Sequence, residues 1–162
     1  MRRAIGVSIN GTWSLAAAVG IVTLGSDDRH RRRVKLTTDA GEPFLLDLPK
    51  PVRLADGDGL RLEDGSYLLI RAAREDCVIV RCGDPAALIR VAWHLGNRHL
   101  PVQILADGIL IRHDHVIVDM IRGLGAEAEP VQSAFDPEAG AYAGDAYAGN
   151  GHHRHDDDHH DH

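Results

Sequence analysis

Aromatic side chains make up only 4% of this 162-residue chain, and there are just two cysteines. A core without aromatic clusters must rest on Leu, Ile, Val and Ala, which the 44% apolar content can supply for one ordinary domain or two small ones. Cys77 and Cys82 lie five apart in the β-like run "CVIVRC", and an odd spacing on a strand sends them to opposite faces. They are read as buried thiols that share neither a disulfide nor an ion. No apolar run reaches the roughly 18 residues of a membrane helix. Arg2 and Arg3 ahead of "LAAAVGIVTLG" imitate a secretory signal, but the polar "NGTWS" separates them from that run, and Val19, Ile21 and Val22 suit a strand. A cytoplasmic protein is expected. No excess of positive charge exists: the net charge is -6, and four Asp with one Arg place half of it in residues 151–162. Nothing there asks for nucleic acid or an anionic membrane as partner. Also absent are a HExxH-type ligand set with its general base and a GxxxxGK[ST] phosphate loop. The chain is therefore expected not to be an enzyme, and any nucleotide hydrolysis belongs to a partner.

What is present divides the chain into three parts and an α+β class. Residues 1–72 have a β texture: "RRRVKLTTDAGEPFLLDLP" predicts a hairpin turning at Asp39 to Glu42, and "LADGDGLRLEDGSYLLI" adds strands separated by Asp-Gly turns. Residues 73–133 predict a strand at Val78 to Arg81, a helix from Pro85, and two short strands around Asp107-Gly108. A helix from Asp114 to Leu124 and a strand from Glu127 to Val131 complete the unit. The order β-α-β-β-α-β is that of a ferredoxin-like domain. Residues 134–162 are rich in Gly, Ala, Asp and His without periodicity, and a disordered tail is expected from about Ala134.

Histidine carries the chemistry. In "AWHLGNRHLP", His94 and His99 are five apart, roughly 140° around a straight helix, so they cannot chelate one ion as an i, i+4 pair would. Asp84 can cap this helix and Pro85 fits its first turn, while Leu88, Val91, Ala92 and Leu95 form an apolar stripe. Gly96 and Asn97 end helices, which puts His99 at or just beyond the C-terminal end. There it is either a ligand or a helix-end histidine that meets the dipole. In "RHDHV", His113 and His115 flank Asp114; they share a face if the segment is extended and diverge if the helix has begun. At the chain's end His152, His153, His155, His159, His160 and His162 alternate with aspartates, an array suited to Ni, Cu or Zn. Interruption by Arg154 and "DDD" separates it from a purification tag. The basic run "RHRRRVK", Arg29 to Lys35, is read as a solvated strand face, with a protein-partner surface as its second reading.

Five stretches in order, "DDRHRRRVKLTTDAGEPFLLDLP", "LADGDGLRLEDG", "GDPAALIRVAWHLGNRHLPVQI", "RHDHVIVDMIRGLGA" and the His-rich end, resemble the urease accessory protein UreE family. That resemblance covers nearly the whole chain. It implies an N-terminal β domain of peptide-binding type, a ferredoxin-like metal domain, and a homodimer formed through the latter. It also implies delivery of nickel to urease apoprotein together with the urease accessory GTPase. In that family the histidine matching His99 lies at the dimer interface, so each ion is held by His99 of two chains. Those matching His113 and His115 are supplementary ligands in some relatives, and the one matching His94 has no settled role. Against a carrier stands a second reading, a storage or sequestration protein whose tail buffers nickel without passing it on.

Overall fold

The computed structural model describes residues 1–140. The six tail histidines and the expected tail disorder beyond residue 140 lie outside the described residues. The first 72 residues form one six-stranded sheet from β1 (Arg2–Ser8), β2 (Ala18–Leu24), β3 (His30–Thr37), β4 (Pro43–Arg53), β5 (Gly59–Leu62) and β6 (Tyr67–Ala72), in the order β2-β6-β5-β1-β4-β3. Alternation makes these strands: Phe44, Leu46 and Leu48 are buried on one face of β4, and they join Ala4, Val22, Leu24, Leu60, Leu62, Leu68 and Ile70 in an aliphatic core with a single aromatic ring. The expected hairpin forms, and one of the expected Asp-Gly turns joins a second antiparallel pair. Thr38 N–H donates to Glu42 O at 2.9 Å with Gly41 at φ +88 between β3 and β4, and Asp64 accepts from Ser66 N–H at 2.9 Å between β5 and β6. The signal-like stretch is a short 3-10 turn, Leu15–Ala17, followed by β2, whose Val22 and Leu24 are buried. Local patterning gave no hint that β1 runs parallel to β4 and β2 parallel to β6.

One residue, Ala73, joins this sheet to the second unit. There β7 (Arg74–Arg81), α1 (Pro85–Asn97), β8 (Gln103–Ile104), β9 (Ile109–Arg112), α2 (His115–Gly123) and β10 (Glu127–Ala134) follow in the predicted order of element types. The sheet order is β10-β7-β9-β8 with every pair antiparallel. Strands β7 and β10 outrun their apolar cores because they pair in register from Glu127↔Arg81 to Ala134↔Arg74. Both helices cover one face: Val78, Val80, Ile109 and Ile111 pack against Val91 and Leu95 of α1 and Ile117, Val118 and Ile121 of α2. Ala92, expected on the buried stripe of α1, is exposed, so that stripe is Leu88, Val91 and Leu95. Both thiols are free and on opposite faces as the spacing predicts, Cys82 half-buried beside the helix-side core and Cys77 buried on the other face. No helix among the described residues is long and apolar enough to cross a membrane.

Two expectations are corrected by what covers that other face. The tail does not lose contact with the fold at Ala134: Phe135 is fully buried against Cys77 and Leu110. Glu138 N–H donates to Val102 O at 2.7 Å, and its carboxylate accepts from Ile104 N–H at 3.0 Å. Composition alone misled here, because a lone Phe in a Gly/Ala-rich segment buries apolar area enough to hold it. Arg29 is likewise not on the solvated face of the basic run. It is fully buried, its guanidinium donating to Leu24 O and Leu54 O, each at 3.2 Å, and to Phe135 O and the Asp136 carboxylate. Arg31, Arg32, Arg33 and Lys35 are exposed as expected. The same turn holds the second unit twice more, through Ser26 to Glu75 at 3.1 Å and Asp27 to Arg112 at 2.9 Å.

Candidate metal centre

Helix α1 brings His99 to its place. Asp84 accepts from Ala86 N–H at 3.1 Å and Pro85 opens the helix, so its start is set by local chemistry. At its other end Arg98 is the cap, His99 N–H donates to Gly96 O at 3.0 Å, and Leu100 N–H donates to Leu95 O at 3.2 Å. This pair of bonds is a Schellman motif, and it needs a left-handed residue just past the cap. His99 supplies it with φ 58, the one described non-glycine residue at positive φ. An L-residue pays about 1–2 kcal/mol to sit there, and histidine is among the types that do so more often than most. The outcome is an exposed imidazole on a hydrogen-bonded helix end.

His113 and His115 lie at the junction of β9 and α2. Asp114 between them is extended, φ -147 and ψ 119, and its carboxylate accepts from Val116 N–H at 2.9 Å and Ile117 N–H at 3.2 Å. His113 therefore belongs to the strand end, its N–H donating to Asp76 O at 2.8 Å, and His115 is the first helical residue. Both are exposed, but they do not share the uniform strand that would place them on one face. A cleft of about 320 Å³ lies between Leu100 and Pro101, which follow His99, and His113, Asp114 and Ile117. His113 also borders a cleft of about 200 Å³ with Asp76 and Cys77. Burial pushes the Cys77 thiol up from its ordinary value, and the charges of Glu75 and Asp76 push the same way. A thiol kept protonated is a poor metal ligand. His94 is half-buried and sits edge-on to Trp93, with ring centroids 5.1 Å apart. Among the described residues no three His, Cys, Asp or Glu side chains gather into one metal-binding group.

Outside the histidines, the outward face of α1 is apolar: Ile89 and Trp93, one turn apart, are 69% and 64% exposed. Sequence reasoning also missed Arg29 and Phe135, although one large apolar residue standing alone in "SAFDPEAG" was a usable signal.

Residues 4–73 match the family model of the UreE urease accessory protein N-terminal domain, and residues 75–162 match that of its C-terminal domain. The chain is similar to the urease accessory protein UreE of Rhodopseudomonas palustris strain BisB18, 52% identical over 143 residues, 88% of this chain and 67% of that protein. It is 48% identical over 156 residues to the protein of that name from Bradyrhizobium sp. strain BTAi1, covering 96% of this chain and 75% of the relative. With the one from Chelativorans sp. strain BNC1 the identity is 48% over 145 residues, 89% and 92% of the two chains.

Proposed function

The chain belongs to the UreE family of urease accessory proteins, and from that membership we propose that it is a nickel metallochaperone, carrying the ion as cargo for assembly of the urease metallocentre. His99 is the residue that holds the ion. The carrying observation is its backbone: an exposed imidazole occupies a left-handed position that glycine would fill at lower free energy. A single imidazole leaves most of a nickel ion's coordination sites open, and His94 is half-buried, edge-on to Trp93. We assign the missing partner to His99 of a second copy. The exposed Ile89 and Trp93 on α1 support a homodimer through this unit, because the same helix carries His99 at its end. His113 and His115 act as supplementary ligands, and His152, His153, His155, His159, His160 and His162 as a reservoir that also takes Cu or Zn.

The antiparallel order β10-β7-β9-β8 supports a ferredoxin-like reading of residues 73–133, with 1–72 as a β domain of peptide-binding type. Partners are urease apoprotein and the accessory GTPase, in the cytoplasm. The chain carries rather than catalyses. The test is nickel transfer to urease apoprotein with the GTPase present, comparing the parent with His99→Ala. Transfer that survives His99→Ala undiminished refutes the site, and binding without any transfer returns the protein to storage.

A further inference from the structure

The first sheet comes apart where β1 ends. Its parallel pairing with β4 stops at Ala4↔Leu46, and from Gly6 to Ser8 strand β1 pairs with β5 alone. On the far side of β4 the ladder with β3 jumps from Arg33↔Asp47 to Arg31↔Val52, so Leu48–Pro51 bulge out without registered partners. Sequence explains the jump: Pro49 and Pro51 have no N–H to give to a ladder. A cleft of about 270 Å³ opens in the gap, just under the size that holds drug-like ligands. Val7, Ile9, Leu48 and Val52 make its lining mostly apolar. Val7 and Val52 lie against the core of the sheet and are only half-buried, so the cleft exposes apolar surface that none of the described residues covers.

Arg53 reaches the same cleft and is short of an acceptor. Among the described residues its Nη1 is the one buried side-chain nitrogen or oxygen without a hydrogen-bond partner. Asp58, also in the wall, is committed elsewhere: one carboxylate oxygen accepts from Asn10 N–H and the other from Ala55 N–H, each at 2.9 Å. Lys50 adds a second cation. Two cations against one committed carboxylate leave room for a single negative charge, and the apolar lining asks that a hydrocarbon body carry it. We infer that the cleft is a binding site for a small aliphatic monocarboxylate, its carboxylate drawn to Arg53 and Lys50 and its chain laid on Val7, Leu48 and Val52. A polypeptide is the poorer occupant. The β1 residues left unpaired, Gly6 to Ser8, are too few for an added strand of the usual length of about five or six, and the facing bulge offers prolines in place of donors. A phosphate dianion fits no better, because it adds charge and no apolar surface. None of the histidines takes part, so the site is separate from metal binding.

Titration calorimetry of the full chain with acetate, butyrate and hexanoate at fixed ionic strength tests the site. Affinity should rise by up to about fourfold for each methylene that enters the cleft. Hexanol, which keeps the chain without the charge, should bind roughly tenfold or more weakly than hexanoate. Amide shifts on hexanoate binding should gather at Val7, Ile9 and Val52. Arg53→Gln should weaken hexanoate by roughly tenfold or more without lowering the Tm of the free protein, since the buried guanidinium nitrogen has no partner to lose. Ile9→Glu, at a position 58% exposed, is the second variant and decides the matter if Arg53→Gln does not fold. Like charge beside the cleft should weaken hexanoate by roughly threefold or more. No saturable hexanoate binding, equal affinity for hexanol, amide shifts centred elsewhere, or affinity unchanged in the folded variants overturns the site. A peptide ending in a free leucine carboxylate that binds more tightly than hexanoate overturns the assignment to a free acid.

Discussion

Helices α1 and α2 end in the same hydrogen-bond pattern on different residues. Past the cap Leu124, Gly125 takes φ 86, its N–H donating to Arg122 O at 3.0 Å while Ala126 N–H donates to Ile121 O at 3.2 Å. Past the cap Arg98, His99 takes φ 58 with the equivalent bonds to Gly96 and Leu95. The backbone asks the same of both positions, and only α2 answers with the residue that has no Cβ to strain. The difference separates what a helix end needs from what is added to it: α2 stops, whereas α1 stops and presents an imidazole. Under the ligation proposed for His99, stability and metal binding pull in opposite directions there, whereas Gly125 serves the helix end alone.

The largest effect should come from removing the imidazole. His99→Ala is expected to weaken the tightest nickel site by about 100-fold or more by calorimetry, since loss of a direct ligand should exceed the 10–100-fold that outer-shell changes cause. Stability should fall by no more than about 1 kcal/mol, because alanine carries the same Cβ at this φ and lacks only the several-fold preference that histidine has for it. Next, Gly125→His would give α2 the α1 ending. No atom lies within 4 Å of a Cβ built at Gly125, so the cost is that of the backbone alone, about 1–2 kcal/mol, read as a lowered Tm without any new nickel site. A nickel site created there would mean that the helix end, and not its surroundings, suffices. His99→Gly gives α1 the α2 ending. It should raise apo stability by about 1 kcal/mol in urea unfolding while losing the same nickel site as His99→Ala. A destabilised glycine variant would break the comparison, since the left-handed cost would then have been absorbed by contacts of the imidazole. Smallest is deletion of residues 151–162, which should lower the number of ions bound yet move apo stability by no more than about 0.5 kcal/mol.

The parts of the site that local chemistry controls were readable. Asp84 and Pro85 mark the start of α1 and Gly96-Asn97 its last turn, so His99 could be placed at or just beyond the end of that helix without a structure. Asp114 marked the start of α2 as an N-cap, which left His113 and His115 on either side of a junction whose geometry two competing readings could not decide. The odd spacing of Cys77 and Cys82 predicted their opposite faces, because a strand alternates whatever surrounds it. Arg29 resisted the same approach. Its neighbours in sequence, Arg31 to Arg33, are exposed, and nothing local distinguishes it from them until Leu24, Leu54 and Phe135 converge with their carbonyls.

By itself, then, the sequence determined element types, turns, caps and the concentration of histidine at one helix end and at the terminus, since these depend on forces acting over a few residues. Tertiary structure alone decided the parallel pairings of β1 with β4 and β2 with β6, the burial of Arg29 and the passage of Phe135 beneath the second sheet. Each of those depends on which distant surfaces meet, and a buried arginine or a lone phenylalanine is favourable only once the carbonyls or the apolar face that receive it have been assembled.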